Sequence, residues 1–367
     1  MSHDAAIEEH LRSQAAACGD IGSPMYEALL TFAADDFAAG GPVAAVCADW
    51  TGDPSPAVLA LRLVGTVHRF ALAGEAPELA RFYPSVAGAD VAPFEPDAAW
   101  AAFRDVLASR PDDVRAGLVS PPQTNEVGRS ALLIGGLLAL RARVDLPVRL
   151  VEIGASAGLN LRPDLVRIDL GEGRGIGPVD SPVTLRQPWE GELPPLDRPL
   201  EIVERIGTDL DPVDVATEAG RLRLLSYVWP DQVERFERLR GALALADAVP
   251  VPVRRESAVD TVAGLEPVPG AVTVVWHSVM QQYLPAEVRA GLEAAFDALG
   301  SRASADAPVA RLSFEGRPRT VPPGVEFALT LQSWPADDPD APASLHLASG
   351  HPHGDWVTWH PRPLHWR

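Results

Sequence analysis

LVEIGASAGLNL, running from Leu150 to Leu161, is an apolar stretch that carries one acid, Glu152, and then breaks into Gly154, Ser156 and Gly158. The run predicts a buried strand. The glycines predict a loop at its end, where backbone can approach a ligand without side-chain obstruction. Two chemistries use such a loop. Spaced glycines make room for a cofactor at the carboxyl end of a strand, whereas Gly-x-Ser-x-Gly raises a serine nucleophile on a strained turn. The rest of the chain has to choose between them.

Composition narrows the choice of class. At 367 residues the chain is long for one core, so two domains are expected. A formal charge of −19 opposes a nucleic-acid partner, because phosphate binding needs a concentrated basic footprint. Every basic side chain apart from histidine is arginine, which removes Schiff-base, P-loop and kinase mechanisms that depend on lysine. Cys18 and Cys47 stand apart without a Cys-x-x-Cys partner, so neither a disulfide framework nor a thiolate zinc site is expected. The opening MSHDAAIEEH is acidic where a signal peptide is basic. The longest uninterrupted apolar run, Ala131–Leu140, is too short to span a bilayer. A cytoplasmic protein of enzyme size, without membrane contact, is the expectation.

Residues 1–146 carry the punctuation of helices. Ile7, Leu11, Ala15 and Cys18 fall at helical spacing before Gly19. Ser23-Pro24 and Ser55-Pro56 each offer an N-cap followed by a proline at the first helical position, and Asp97 and Asp112 read as further N-caps. His68 reads as a core or boundary histidine, and Arg62 and Arg69 as a solvated face. The segment Pro121–Ser130, PPQTNEVGRS, is different. Thr124 or Asn125 can cap the following helix and Glu126 suits its dipole, but a helix start does not call for Gln123 and Arg129 as well. Polar loops on a rigid scaffold often carry function, so Gln123, Asn125 and Glu126 are candidate substrate contacts.

From residue 147 onward, apolar strand runs alternate with helical ones, which predicts a doubly wound α/β sheet. Strands are expected at Arg149–Ile153, Leu200–Ile206, Val251–Arg255, Ala271–His277, Val309–Phe314, Phe327–Gln332 and Trp356–Trp359, and helices at Pro230–Ala246 and Pro285–Leu299. The insertion over residues 161–198 is expected to form a hairpin of Val166–Leu170 with Pro182–Gln187. Four strand ends then line up: the loop after Glu152; Gly207-Thr208-Asp209, which delivers an acid suited to ribose hydroxyls; Glu256-Ser257-Ala258; and His277 to Pro285, HSVMQQYLP.

In this order these four segments resemble the signature segments of class I S-adenosylmethionine-dependent methyltransferases. The resemblance implies a Rossmann-like sheet preceded by an all-α N-terminal lid or substrate domain, with domains at 1–146 and 147–367. It maps the ribose-binding acid onto Asp209, in a GTDLDP setting, and the adenine contact onto Ser257. Two departures stand out: Ser156 stands at the third loop position, where glycine is usual, and the distance from Glu152 to Asp209 leaves Asp169 open as the alternative second-strand acid if the insertion is not a hairpin. Nearly the whole chain also resembles an uncharacterised bacterial family of unknown function, through QTNEVGR (Gln123–Arg129), EIGASAGLNL (Glu152–Leu161) and HSVMQQYL (His277–Leu284).

The expected function is methyl transfer to a small molecule, with S-adenosylmethionine as cofactor. Glu152, Gly154, Ser156, Gly158, Asp209 and Ser257 would hold it, with Arg129 pairing its carboxylate. His277 stands where a base is needed, although a buried hydrogen-bonded histidine at a strand end explains it slightly better, and Tyr283 and Gln282 are nearby acceptor contacts. The alternatives are a hydrolase with Ser156 as nucleophile, and a scaffold that binds ligand without chemistry. The tail holds His346, His351, His353, His360 and His365, but His-Pro-His-Gly reads as a turn between strands, and no metal is expected. Oligomeric state is left open.

Overall fold

Proline-initiated helices build the first part of the structure, a computed structural model that describes residues 2–320, 323–335 and 344–363. His365 lies outside the described residues. The first unit comprises Met1–Thr124 and Ala216–Glu237. Its first helix, His3–Asp20, buries Ile7, Leu11, Ala15 and Cys18, and Ser23 caps the second, Pro24–Ala38, by accepting from the Tyr26 amide at 3.3 Å. Three expected caps are displaced. Glu95 and Arg110, not Asp97 and Asp112, occupy the N-cap positions, because Pro96 and Pro111 take the first helical position and hold the preceding residue out of the helix. Ser55 likewise lies inside a turn, and the helix Leu59–Leu72 starts behind Val58 at φ 49°.

Arg62, Thr66 and His68 of that helix are all interior. His68 is fully buried, with Nδ1 3.1 Å from the Ser226 carbonyl and Nε2 2.9 Å from Ser85 Oγ, and burial pulls its pKa down to about 4. It is a satisfied core histidine. Arg62, expected on a solvated face, instead donates to the carbonyls of Ala57, Leu118 and Val119.

The second unit comprises Asn125–Val215 and Arg238–Arg367. Its strands are β1 (Val148–Ile153), β2 (Arg167–Gly171), β3 (Arg174–Ile176), β4 (Thr184–Arg186), β5 (Trp189–Gly191), β6 (Ile202–Asp209), β7 (Val253–Arg255), β8 (Val272–Ser278), β9 (Val309–Thr320), β10 (Pro323–Trp334), β11 (Ser344–Gly350) and β12 (Val357–Pro363). Among the described residues, nine of them form one sheet in the order β5-β12-β11-β10-β9-β8-β1-β6-β7. The block β7-β6-β1-β8-β9 is parallel throughout, and β9 to β12 continue as an antiparallel meander. The protein is therefore a mixed α/β fold around a large, mostly parallel sheet.

Parallel strands need cover on both faces, and the helices supply it. Val151, Ile153, Val275 and Val309 pack with Val262, Leu292, Phe296 and Leu299 of helices Ala258–Gly264 and Ala286–Gly300. Alternate residues of β9 turn to the opposite face. There Leu312 packs against Gly136 of helix Ser130–Arg141, where a Cβ would stand 2.8 Å from its methyl.

The insertion departs from expectation. The hairpin is β2 with β3, closed by Gly171, Glu172 and Gly173, all at positive φ, whereas β4 pairs parallel to β2. The small β3-β2-β4 sheet is separate, and β5 runs on to join the edge of the large one.

Candidate functional site

Reversal of strand order between β1 and β8 opens the carboxyl edge of the parallel block, and the glycine loop sits there. Gly154, Ser156 and Gly158 hold φ of 67°, 53° and 68°. A serine reaches this left-handed region only when its surroundings fix it. Here the Ser156 amide donates to Asp209 Oδ2 at 2.8 Å, and its carbonyl accepts from the Val213 amide at 3.1 Å. Asp209 Oδ1 accepts from the Asp211 amide at 2.8 Å. Each carboxylate oxygen thus takes one backbone N–H and keeps a lone pair for another donor. Of the two candidate acids, Asp209 ends β6, which pairs with β1, while Asp169 lies in the separate small sheet and closes its own turn through the Gly171 amide.

Glu152 is buried at the end of β1, and Oε2 has no hydrogen-bond partner. Burial pushes its carboxyl up to about 8, against the pull of an Asn160 hydrogen bond and of Arg129 and Arg162 nearby. Asn160 also accepts from Ser130 Oγ at 2.8 Å. Arg162 closes the far end of the loop, donating to the Gly158 carbonyl at 2.8 Å and the Val249 carbonyl at 2.7 Å. After the loop comes a three-residue 3-10 turn, Leu159–Leu161, rather than the helix that follows a nucleophile elbow.

Asn125 and Glu126 brace this loop. Asn125 Oδ1 accepts from the Leu159 amide at 2.8 Å, and Glu126 caps the short turn Val127–Arg129 through the Gly128 amide. Arg129 donates from Nε to the Pro352 carbonyl at 2.7 Å and reaches Ser278 at the end of β8. Ser257 is a helix cap, accepting from the Asp260 amide at 3.1 Å. Gln123 belongs to the first unit.

His277, on β8, is fully buried. Arg311 Nε donates to its Nε2 at 3.1 Å, so Nδ1 carries the proton and donates it to Glu315 Oε1 at 2.7 Å. Burial holds its pKa below the usual range despite Glu315. With both nitrogens occupied, the ring has no lone pair for base chemistry. Glu315 also accepts from the Met280 and Gln281 amides, and Arg311 forms a paired bridge to Glu293 at 2.7 and 2.9 Å. The turn that carries Gln282 and Tyr283 is therefore tied to β9, and both of those side chains are exposed. Sequence reasoning missed Asn160, Arg162, Arg311 and Glu315. The signal for the last two was present: RLSFE at 311–315 places polar residues at alternate positions of a strand that must bury both faces.

A family model described as "Uncharacterized protein conserved in bacteria (DUF2332)" matches residues 8–359, so the chain belongs to this family. No curated protein and no solved structure matches it. Among the described residues, no helix is long and apolar enough to cross a membrane.

Proposed function

We propose that the second unit is a Rossmann-like domain that binds S-adenosylmethionine and directs its methyl group to a small-molecule acceptor. One observation carries the reading. A loop with three left-handed residues joins β1 to a carboxylate, Asp209, at the end of the neighbouring strand, at the switch point of a sheet whose parallel strands follow the order 3-2-1-4-5.

The residues fit the group. Gly154 leaves backbone exposed at the strand end, Asp209 keeps acceptor capacity for two ribose hydroxyls, and in this reading Ser257 borders the adenine side. The orphaned Oε2 of Glu152 suits a cationic centre, and Arg129 suits a carboxylate. When bound, the cofactor supplies an electrophilic methyl carbon. This chain's contribution is positioning. Asp209 fixes the loop, Asn125 and Arg162 brace its far side, and Glu315 with His277 holds the turn that presents Gln282 and Tyr283 to an acceptor. In this reading His277 is a positioning residue, and any proton to be removed leaves through Tyr283 or solvent.

Calorimetric titration of the full chain with S-adenosylhomocysteine tests the proposal. Binding at micromolar concentration, weakened at least about tenfold by Asp209→Ala through loss of charge-assisted hydrogen bonds, is the expected result. No binding at millimolar ligand, or covalent labelling of Ser156 by a fluorophosphonate, overturns it.

A further inference from the structure

The turn between β11 and β12 reads His351-Pro352-His353-Gly354-Asp355, and one ligand atom from each of His351, His353 and Asp355 lies within 4.8 Å of the other two. We propose that this turn binds one divalent transition-metal ion, with zinc preferred, through those three side chains. The turn expected from the sequence is present. A turn does not itself exclude a metal, because side chains two residues apart converge there.

Several features hold the turn in shape. The His351 amide donates to the Trp356 carbonyl at 3.0 Å and the Gly354 amide to the His351 carbonyl at 2.8 Å, which closes a compact loop. Gly354, at φ 76°, lies so close to Gly128 that a Cβ on either would overlap the other strand of chain. Arg129 clamps the Pro352 carbonyl at 2.7 Å. The ligand residues therefore sit on backbone fixed from outside, the condition for a site that does not have to be ordered by its ion.

The distances suit a small ion. His351 Nδ1 and Asp355 Oδ2 are 2.9 Å apart; two atoms bound to one zinc at about 2.1 Å stand roughly 2.9–3.4 Å apart. On ion binding at Nδ1 the ring proton shifts to Nε2, so the imidazole stays neutral. The His353 amide approaches the same nitrogen at 3.4 Å, and Arg238 lies 3.8 Å from the other oxygen of Asp355. Two imidazoles with one carboxylate select zinc or a neighbouring first-row ion over magnesium or calcium, which prefer oxygen alone, and leave a coordination position open. The chain also places this position. β11 runs parallel to β1, two antiparallel steps beyond β9, so the turn lies on the same carboxyl edge of the sheet as the glycine loop.

The test uses untagged full-length protein stripped with a chelator, titrated with zinc chloride by calorimetry and with cobalt(II) by visible absorption. The expected result is one ion per chain. His351→Ala and His353→Ala are each expected to weaken binding by about a hundredfold or more, beyond the tenfold-to-hundredfold loss seen for outer-shell partners, and Asp355→Asn by at least about tenfold. His346→Ala, in the separate pair where His346 Nε2 meets His360 Nε2 at 2.9 Å, is expected to leave stoichiometry and affinity unchanged. Absence of stoichiometric binding overturns the proposal, as does a site lost with His346→Ala and kept in His351→Ala. Circular dichroism of each variant confirms that the fold persists. Neither cofactor nor acceptor enters the titration, so failure here leaves the methyltransferase reading standing, and the reverse holds too.

Discussion

Glu152 concentrates the electrostatics of the loop in a single carboxyl. Its pKa is raised to about 8 by burial, so at neutral pH the folded state holds it mostly protonated, whereas an unfolded chain ionises it near the ordinary carboxylate value. The sign follows from proton counting. Between those two values the native state binds more protons than the unfolded state, so stability contributed by this group is fully present at low pH and falls as pH rises toward 8. Glu152→Gln, which cannot ionise, is expected to match the parent in stability at pH near 5 and to exceed it by about 2–3 kcal/mol at pH near 8, measured by urea denaturation. Equal effects at both pH values would sink the assignment. A cationic ligand favours the ionised carboxyl, so the parent is expected to bind S-adenosylhomocysteine, through its ammonium group, more tightly as pH rises from 7 to 8, and Glu152→Gln is not.

At the scale of elements, β9 does more than pair with its neighbours. Arg311, Ser313 and Glu315 alternate along it, and the chain Glu293–Arg311–His277–Glu315 links helix Ala286–Gly300, β9, β8 and the turn after β8. Glu315→Ala would leave the Met280 and Gln281 amides and His277 Nδ1 without their acceptor, at a cost of about 3 kcal/mol, as for other broken buried networks. Hydrogen exchange at the Gln281 amide is expected to accelerate by more than the global loss of stability requires; exchange that tracks global unfolding alone would contradict the anchoring role. The same elements show what sequence reading can reach. β1 and β8 were legible because continuous apolar runs carry Glu152 and His277 at their ends, and β6 from the Ile and Val positions that precede Gly207-Thr208-Asp209. The caps at Glu95 and Arg110 were each misplaced by two residues because the proline was weighed as a follower of the cap rather than as the residue that dictates it. β3 and β5, three residues each, carry no local pattern, since tertiary pairing alone makes them strands; only Gly171-Glu172-Gly173 announced the turn. At the candidate site, the neighbourhood of the loop, Asp209 and Arg129 was legible from residue type and order. The bracing set of Asn160, Arg162, Arg311 and Glu315 was not, because a buried polar residue becomes visible only once its partners from distant segments are placed.

Whole-molecule organisation shows in how the first unit is assembled. Its helices before Thr124 are completed by Ala216–Glu237, a segment that returns some ninety residues later. That segment supplies the Ser226 carbonyl to His68, Asp231 to Ser23 Oγ at 2.7 Å, and the Pro230 carbonyl to the Ser85 amide at 3.0 Å. Tyr227 fills the groove over Gly65, where a Cβ would stand 2.5 Å from its ring, and Trp229 lies against Tyr26 with ring centroids 5.9 Å apart. A fragment ending at Thr124 would keep its helical propensity while exposing Tyr26 and leaving the buried His68 short of an acceptor, a loss of several contacts each worth about 1–3 kcal/mol. Against a net stability of about 5–15 kcal/mol for a whole domain, that is enough to abolish fixed packing. Residues 1–124 alone are therefore expected to show a helical far-ultraviolet spectrum with no near-ultraviolet signal and no cooperative melting. Joining Ala216–Glu237 to the same fragment through a short glycine-serine linker is expected to restore a sharp transition. Cooperative unfolding of residues 1–124 without that segment would show that the first unit closes its core unaided. It would also reduce the contacts of His68 and Ser23 to additions on a finished fold.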